Sequence, residues 1–390
     1  MKPIKLMIVE DDEEMTTLCL STEERYNILH KERQVEIIAR KNLDEASVLI
    51  DSSFDGAIID LKLGSDGDEG NKITKQINEK LLRIPIAIFT GTPGNADSEF
   101  AYVGIFKKGD IGYDGLFDRF WEIHDTGITR IMGGRGELEK HMNTIFTKTI
   151  MPNHKKWVEY GKENSERTER ALLRHTLNHL LQILDDNKDL CFPEEAYLSP
   201  PLIESIQTGT IVKKKSDGQI FAVMTPACDL VVRSHGKFKT DRILLAEIDS
   251  ISTITEKART SACIEAGKKY KGDAEKRNTL INERVMSALK NNYCTYYHYM
   301  PKSISFDGGF LNFRKISTID PNEINTLYEQ LSLQIAPSFI KDVIARFSSY
   351  YARQGQPEID IETILSSLTA VSPPAEAATP ATPARRPRDQ

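Results

Sequence analysis

The first 120 residues alternate between short apolar runs and amphipathic stretches. Ile4–Val9, Val35–Ala39, Gly56–Ile59, Ile84–Phe89 and Val103–Phe106 are short, mostly apolar and β-branched. That is the pattern of strands buried on both faces. Between them Glu13–Tyr26, Asn42–Ser52, Glu69–Lys80 and roughly Ala96–Tyr102 carry a helical pattern. The alternation predicts right-handed crossovers and a parallel, doubly wound α/β sheet of five strands. In such a sheet the residues just past the carboxyl ends of the strands converge on one crevice, where ligands bind.

The residues expected at those ends carry chemistry. Glu10, Asp11 and Asp12 follow the first strand, Asp60 the third, Thr90 ends the fourth, and Lys107 and Lys108 follow the fifth. Carboxylates are costly to gather unless a cation neutralises them. Hard oxygen donors beside an open face suit Mg²⁺, which takes a few carboxylates and keeps other positions for water and phosphate. The ion would screen Asp60 for attack on a phosphoryl donor. A hydroxyl and an ammonium on adjacent strand ends would hold the remaining phosphoryl oxygens. One acidic residue after a strand is ordinarily a helix N-terminal charge, but four strand ends each bear a fitting residue.

These segments resemble the receiver domain of two-component response regulators. "IVEDD" is similar to the family's acidic pocket, with Glu10 and Asp11 in the metal-organising positions and Asp12 a bystander. "IIDLKLGSDGDEG" resembles the phosphoacceptor segment, with Gly70 opening the third helix, and "IPIAIFTGT" the fourth strand with its switch hydroxyl at Thr90 and Gly91 behind it. "VGIFKKGD" resembles the fifth strand and its lysine; Lys108 aligns better than Lys107, because it sets Ile105 where the switch aromatic normally lies. The resemblance covers residues 3–125. It implies a flavodoxin-like fold, phosphorylation of Asp60, and Mg²⁺ held by Glu10, Asp11, Asp60 and the backbone carbonyl of Lys62. It also implies a sensor histidine kinase or phosphotransfer protein as donor. The departures are a fourth helix squeezed between Thr90 and Lys108, Gly109 in place of the usual proline, and Ile105 (beside Phe106) in place of the aromatic. They bear on the family's dimerising face more than on the phosphoryl chemistry.

Residues 126–198 read as a helical connector, 199–360 as an α+β output domain and 361–390 as a disordered tail rich in proline and alanine. Asp114–His124, Glu137–Phe146 and Asn164–Asp186 carry helical patterns. In the last of these Leu173, Leu177, Leu180 and Leu184 form a stripe that suits a core-facing helix, with a dimer seam as the alternative. His175 and His179 stand at i and i+4, a spacing that can bind metal. No glutamate of the H-E-x-x-H kind and no third ligand accompanies them, which favours a structural or surface role.

Thr208–Lys214, Gln219–Thr225 and Arg242–Ile248 read as strands, the first two joined by a turn at 215–218. "AVMTPACDL" places Cys228 beside Asp229. A phosphatase loop would need Cys-x5-Arg with glycine, and Cys228 to Arg233 is one residue short. A Cys–His pairing with His235 or His298 has no local support. A buried thiol, with Asp229 capping a turn, is the plainer expectation. Glu256–Lys290 is helical and leans basic, including Lys268, Lys269 and Lys271; it reads as a solvated face first and a nucleic-acid patch second. "NYCTYYHYMP" and "GGFLNFRKIST" read as aromatic strands, followed by helices at Pro321–Leu331 and Pro337–Arg353. "TPACDL" and the "RFSSYYARQGQP" end bear a weak resemblance to bacterial proteins sometimes found in phage-defence neighbourhoods, which assigns no activity.

Composition narrows the classes. The 390 residues are 39% hydrophobic and 28% charged with net charge -6, so any attraction to nucleic acid or anionic membrane must be local. Five scattered cysteines without C-x-x-C suit reduced thiols. The acidic N-terminus does not suit a signal peptide and no apolar run suits a membrane span, so a cytoplasmic protein without membrane contact is expected. No P-loop or helix-turn-helix is evident, and no catalysis is read beyond receiver self-phosphorylation and dephosphorylation. The first expectation for the output module is binding of a downstream protein partner, with a homodimer in view. The alternative is action on nucleic acid, or an enzyme at Cys228.

Overall fold

A computed structural model describes residues 2–64, 67–184, 190–231, 238–353 and 357–369. The chain divides into two compact units, Met1–Lys188 and Asp189–Gln390.

In the first unit β1 (Ile4–Val9), β2 (Val35–Arg40), β3 (Gly56–Ile59), β4 (Ile86–Thr90) and β5 (Gly104–Lys107) form one parallel sheet in the order β2-β1-β3-β4-β5. This is the doubly wound, flavodoxin-like arrangement. Alternate strand residues face opposite layers, as the two-residue period of a strand requires. Leu6, Ile8, Ala87 and Phe89 pack with α1 (Glu13–Leu29) and α4 (Tyr113–Thr126), where Phe117 and Trp121 are fully buried. Met7, Val9, Ala57 and Ile59 pack with α2 (Leu43–Leu49) and α3 (Glu69–Glu79) on the other face.

No helix forms over 96–102. Between β4 and β5 there is a single 3₁₀ turn, Pro93–Asn95. The reason is local competition for the backbone. The Asp97 carboxylate accepts the Glu99 amide (3.1 Å), while the Asp97 amide donates to Asn71 Oδ1 on α3 (3.0 Å). These bonds hold the segment as a loop against α3.

Beyond the sheet come α5 (Ile128–Met132), α6 (Glu137–Ile145), α7 (His154–Glu163) and α8 (Ser165–Leu184). Asn164 separates the last two, its side chain accepting the Arg167 amide at 2.9 Å as an N-cap. α8 packs on α6 and α7. Two members of the leucine stripe do not face a core: Leu173 is 61% exposed and Leu177 48%, while Leu180 is half-buried. Thr168 is buried and Leu172, His175, Thr176 and His179 are half-buried, so the inward face is a different one.

The second unit is built on an antiparallel sheet in the order β10-β11-β9-β8-β7-β12-β6. Its strands are β6 (Tyr197–Leu198), β7 (Thr210–Lys214), β8 (Ile220–Val223), β9 (Ile243–Asp249), β10 (Tyr297–Met300), β11 (Gly309–Ile319) and β12 (Tyr328–Ile335). The helix expected at Pro321–Leu331 is a single turn, α11 (Ile324–Leu327). Leu333 and Ile335 are buried in one cluster and Tyr328 in another, on either side of a register shift, and pairing of β12 with β7 and β6 overrides the local helical pattern. The basic stretch is two helices, α9 (Ile251–Lys269) and α10 (Ala274–Leu289), parted at Gly272 (φ 88°), with Asp273 capping the second. Alanines 258, 262 and 266 give α9 a fully buried small-residue face. Leu311, Phe313, Leu333 and Ile335 pack with Val343 of α12 (Pro337–Ala352). The segment expected as a disordered tail opens instead with a helix, α13 (Ile361–Thr369), an apolar stretch ahead of the proline- and alanine-rich part; the rest of that segment, from 370, lies outside the described residues. Among the described residues no helix is long and apolar enough to cross a membrane.

Candidate functional site

The parallel sheet brings its strand ends together as the topology requires. Glu10 and Asp60 are buried carboxylates at the ends of β1 and β3, Thr90 is a buried hydroxyl closing β4, and Lys108 follows β5. The Lys108 ammonium stands 2.6 Å from Glu10 Oε2 and 2.6 Å from Asp60 Oδ2. Lys107, one residue earlier, is exposed, so Lys108 is the one of the two lysines that stands at the carboxylates. Asp11 is exposed, yet its carboxylate lies with those of Glu10 and Asp60 inside a 4.8 Å cluster. Asp12 faces away and caps α1 by accepting the Glu14 amide at 2.8 Å.

Electrostatics follow from this packing. Burial raises the Glu10 carboxyl above the ordinary range, against the opposing pull of Lys108. Burial works against the Lys108 charge, but hydrogen bonds to Asp60 and Glu10 outweigh it and hold the ammonium above its usual value. Asp60 Oδ2 is taken by Lys108, whereas Oδ1 meets only a long 3.4 Å contact from the Lys62 amide among the described residues. The donor set is hard, anionic and open on the Asp11 side, which fits a divalent cation of the Mg²⁺ kind.

Two supporting residues emerge from the structure. A Cβ on Gly70 would lie 2.3 Å from the Asp60 carbonyl oxygen and 2.6 Å from Leu61 Cα. Only glycine lets α3 start so close to the phosphoacceptor segment. Tyr113, at the start of α4, was not singled out by the sequence pattern. Its ring meets Phe89 edge-on at 5.1 Å, and its buried hydroxyl has no hydrogen-bond partner among the described residues and feels the Glu10 and Asp60 charges. An aromatic at the head of α4 therefore lies under the pocket, while the family's aromatic position on β5 is Ile105. Its neighbour Phe106 joins the α1/α4 core.

The other candidates do not converge. Cys228 is exposed rather than buried, and Asp229 is bound by Lys239 Nζ at 2.9 Å, which lowers its carboxyl. His298 lies beside Asp342 (3.7 Å), and His235 and Arg233 are outside the described residues. Lys268, Lys269 and Lys271 are exposed at the end of α9, where Lys269 covers the Tyr270 ring.

No protein-family model and no curated protein matches this chain. Among solved structures, the N-terminal third is similar to response-regulator receiver domains. The non-phosphorylated HemR receiver domain from Leptospira biflexa is 22% identical over 31% of this chain and 93% of that one, with TM-score 0.25. A CheY-like receiver domain from Methylobacillus flagellatus is 16% identical over 31% and 99%, with TM-score 0.26. The receiver domain of a modulated diguanylate cyclase from Desulfovibrio desulfuricans is 18% identical over 33% and 98%, with TM-score 0.25. For this chain the fold rests on its own sheet order and the site on its own side-chain geometry.

Proposed function

We propose that this protein is a response regulator whose receiver, residues 1–125, accepts a phosphoryl group on Asp60. The donor would be a phosphohistidine on a sensor histidine kinase or phosphotransfer protein. The observation that supports this most is Lys108 bridging Glu10 and Asp60 at 2.6 Å while one Asp60 oxygen stays open toward Asp11. Glu10, Asp11, Asp60 and the Lys62 carbonyl would hold Mg²⁺, which when bound supplies charge neutralisation at the transferring phosphoryl group.

The chain's own groups then do the rest. An Asp60 oxygen forms the new O–P bond as the P–N bond breaks, and the electron pair leaves on the imidazole nitrogen. Lys108 and the Thr90 hydroxyl hold oxygens of the transferred group. The acyl phosphate carries about -1.5 to -2 charges where the carboxylate carried one, beside a lysine already shared by two carboxylates. Lys108 must then redistribute its contacts, and it sits directly after β5, so the strain enters that strand. The short β4–β5 connection offers a loop rather than a helix to receive it. Residues 126–198 would act as the connector, and the exposed Leu173 and Leu177 of α8 favour the dimer seam over the core-facing reading. Residues 199–360, within the second unit, would present a surface to a downstream protein in the cytoplasm.

Incubation with acetyl phosphate and Mg²⁺ tests the proposal. One phosphoryl group per chain is expected for the wild type and none for Asp60→Ala; an unmodified wild type would remove the reading.

A further inference from the structure

His175 and His179 lie one turn apart on α8, and helical spacing sets both rings on the same face. Their Nε2 atoms are 3.3 Å apart, with the rings 4.6 Å between centroids and nearly perpendicular. Both residues are half-buried, and Trp157 of α7 packs on the His175 ring at 5.8 Å. A separation of 3.3 Å is long for a hydrogen bond. It is also the edge of a coordination tetrahedron: two nitrogens each about 2.05 Å from one ion at the tetrahedral angle stand about 3.3 Å apart.

We propose that His175 and His179 form a two-histidine site for a borderline divalent transition cation, with Zn²⁺ the ion whose geometry fits. Each imidazole would bind as the neutral ring through Nε2, leaving Nδ1 protonated. No third histidine, cysteine or carboxylate joins the pair within ligand reach among the described residues. The chain therefore supplies two of four ligands and leaves two positions for exogenous donors. Imidazole nitrogens select Zn²⁺, Cu²⁺ and Ni²⁺, whereas Mg²⁺ takes oxygen donors, so this site and the acidic pocket at the strand ends are chemically separate. Both ligands lie on α8, so an ion there would clamp one turn of that helix.

The packing supplies its own reporter, because Trp157 touches one ligand while the other tryptophan, Trp121, is buried in the first unit's sheet core. The test titrates the full-length chain with Zn²⁺ by calorimetry in excess Mg²⁺, and with Cu²⁺ by tryptophan fluorescence. One saturable Zn²⁺ site per chain is expected, retained in Asp60→Ala. Loss of an outer-shell partner commonly weakens metal binding roughly tenfold to a hundredfold, so His175→Gln and His179→Gln should each weaken it by at least that much. Cu²⁺ should quench in the wild type and not in Trp157→Phe, while Trp157→Phe keeps its Zn²⁺ heat. The proposal is overturned if the wild type takes up no Zn²⁺ saturably, or if either glutamine variant, folded by circular dichroism, binds as the wild type does.

Discussion

Among the described residues two lysines each bridge two carboxylates, and one of the two stands at the converging strand ends of a parallel sheet. Lys108 spans Glu10 and Asp60 in the first unit; Lys315 spans Glu247 (2.7 Å) and Asp249 (2.6 Å) in the second. The difference lies in the surroundings. Asp249 has its other oxygen bonded by the Asn312 amide at 2.8 Å, so the acidic pair is satisfied by the protein itself. Lys315 belongs to a bulge in β11, where residues 312–315 stand opposite Glu247, and its side chain is 48% exposed. Lys108 is 20% exposed, its partners are buried, and Asp11 and Thr90 stand on neighbouring strand ends. A parallel sheet aligns every strand's carboxyl end on one edge, so chemistry collects there. An antiparallel sheet sends successive strand ends to opposite edges, and a local charge cluster stays local.

Lys108→Ala should break the comparison most sharply. It leaves two buried carboxylates without their cation, and removing one partner of a buried pair costs about 3 kcal/mol or more. Urea unfolding of the first unit should report that loss along with slower labelling of Asp60; an unchanged midpoint would mean the pair is not electrostatically coupled.

The second unit's own buried titratable group comes next. Burial holds His298 down to about 4, and exposed Asp342 at 3.7 Å does not offset it. A folded value below the unfolded one means stability present above about pH 6.5 and lost as pH falls through about 4, on the order of 3 kcal/mol in all. A pH series of unfolding midpoints for wild type and His298→Gln should differ by that component, and parallel profiles would refute it.

Gly70→Ala forces a Cβ against the Asp60 carbonyl, so a cost of about 1–3 kcal/mol together with impaired phosphorylation is expected. Thermal unfolding and labelling measure both; wild-type behaviour would show that the backbone relaxes freely there. The smallest effect belongs to Lys315→Ala, at or below about 1 kcal/mol because the lysine is half exposed. A loss matching that of Lys108→Ala would erase the distinction between the two bridges.

The same contrast explains what the sequence made legible. Each β-α-β step of the first unit is local, so Ile4–Val9 and Gly56–Ile59 could be read as strands and their following acids as neighbours in space. Residues 96–102 misled because the Asp97 side chain accepts the Glu99 amide, a choice that period alone does not encode. Tyr328–Ile335 misled because its pairing with β7 is made more than a hundred residues away in the chain. Leu173 and Leu177 showed a helical stripe correctly, but which side of α8 met α7 depended on Asn164 ending one helix and beginning the next. Tyr113 left no signal, because an aromatic at the head of a helix has no spacing that ties it to Asp60.

The most direct test of the central claim is to map the label after treatment with acetyl phosphate and Mg²⁺. Peptide mass spectrometry should place a hydroxylamine-labile acyl phosphate on Asp60, absent from Asp60→Asn and reduced in Lys108→Ala. A label on any other residue, or a wild-type chain that takes none, would contradict it.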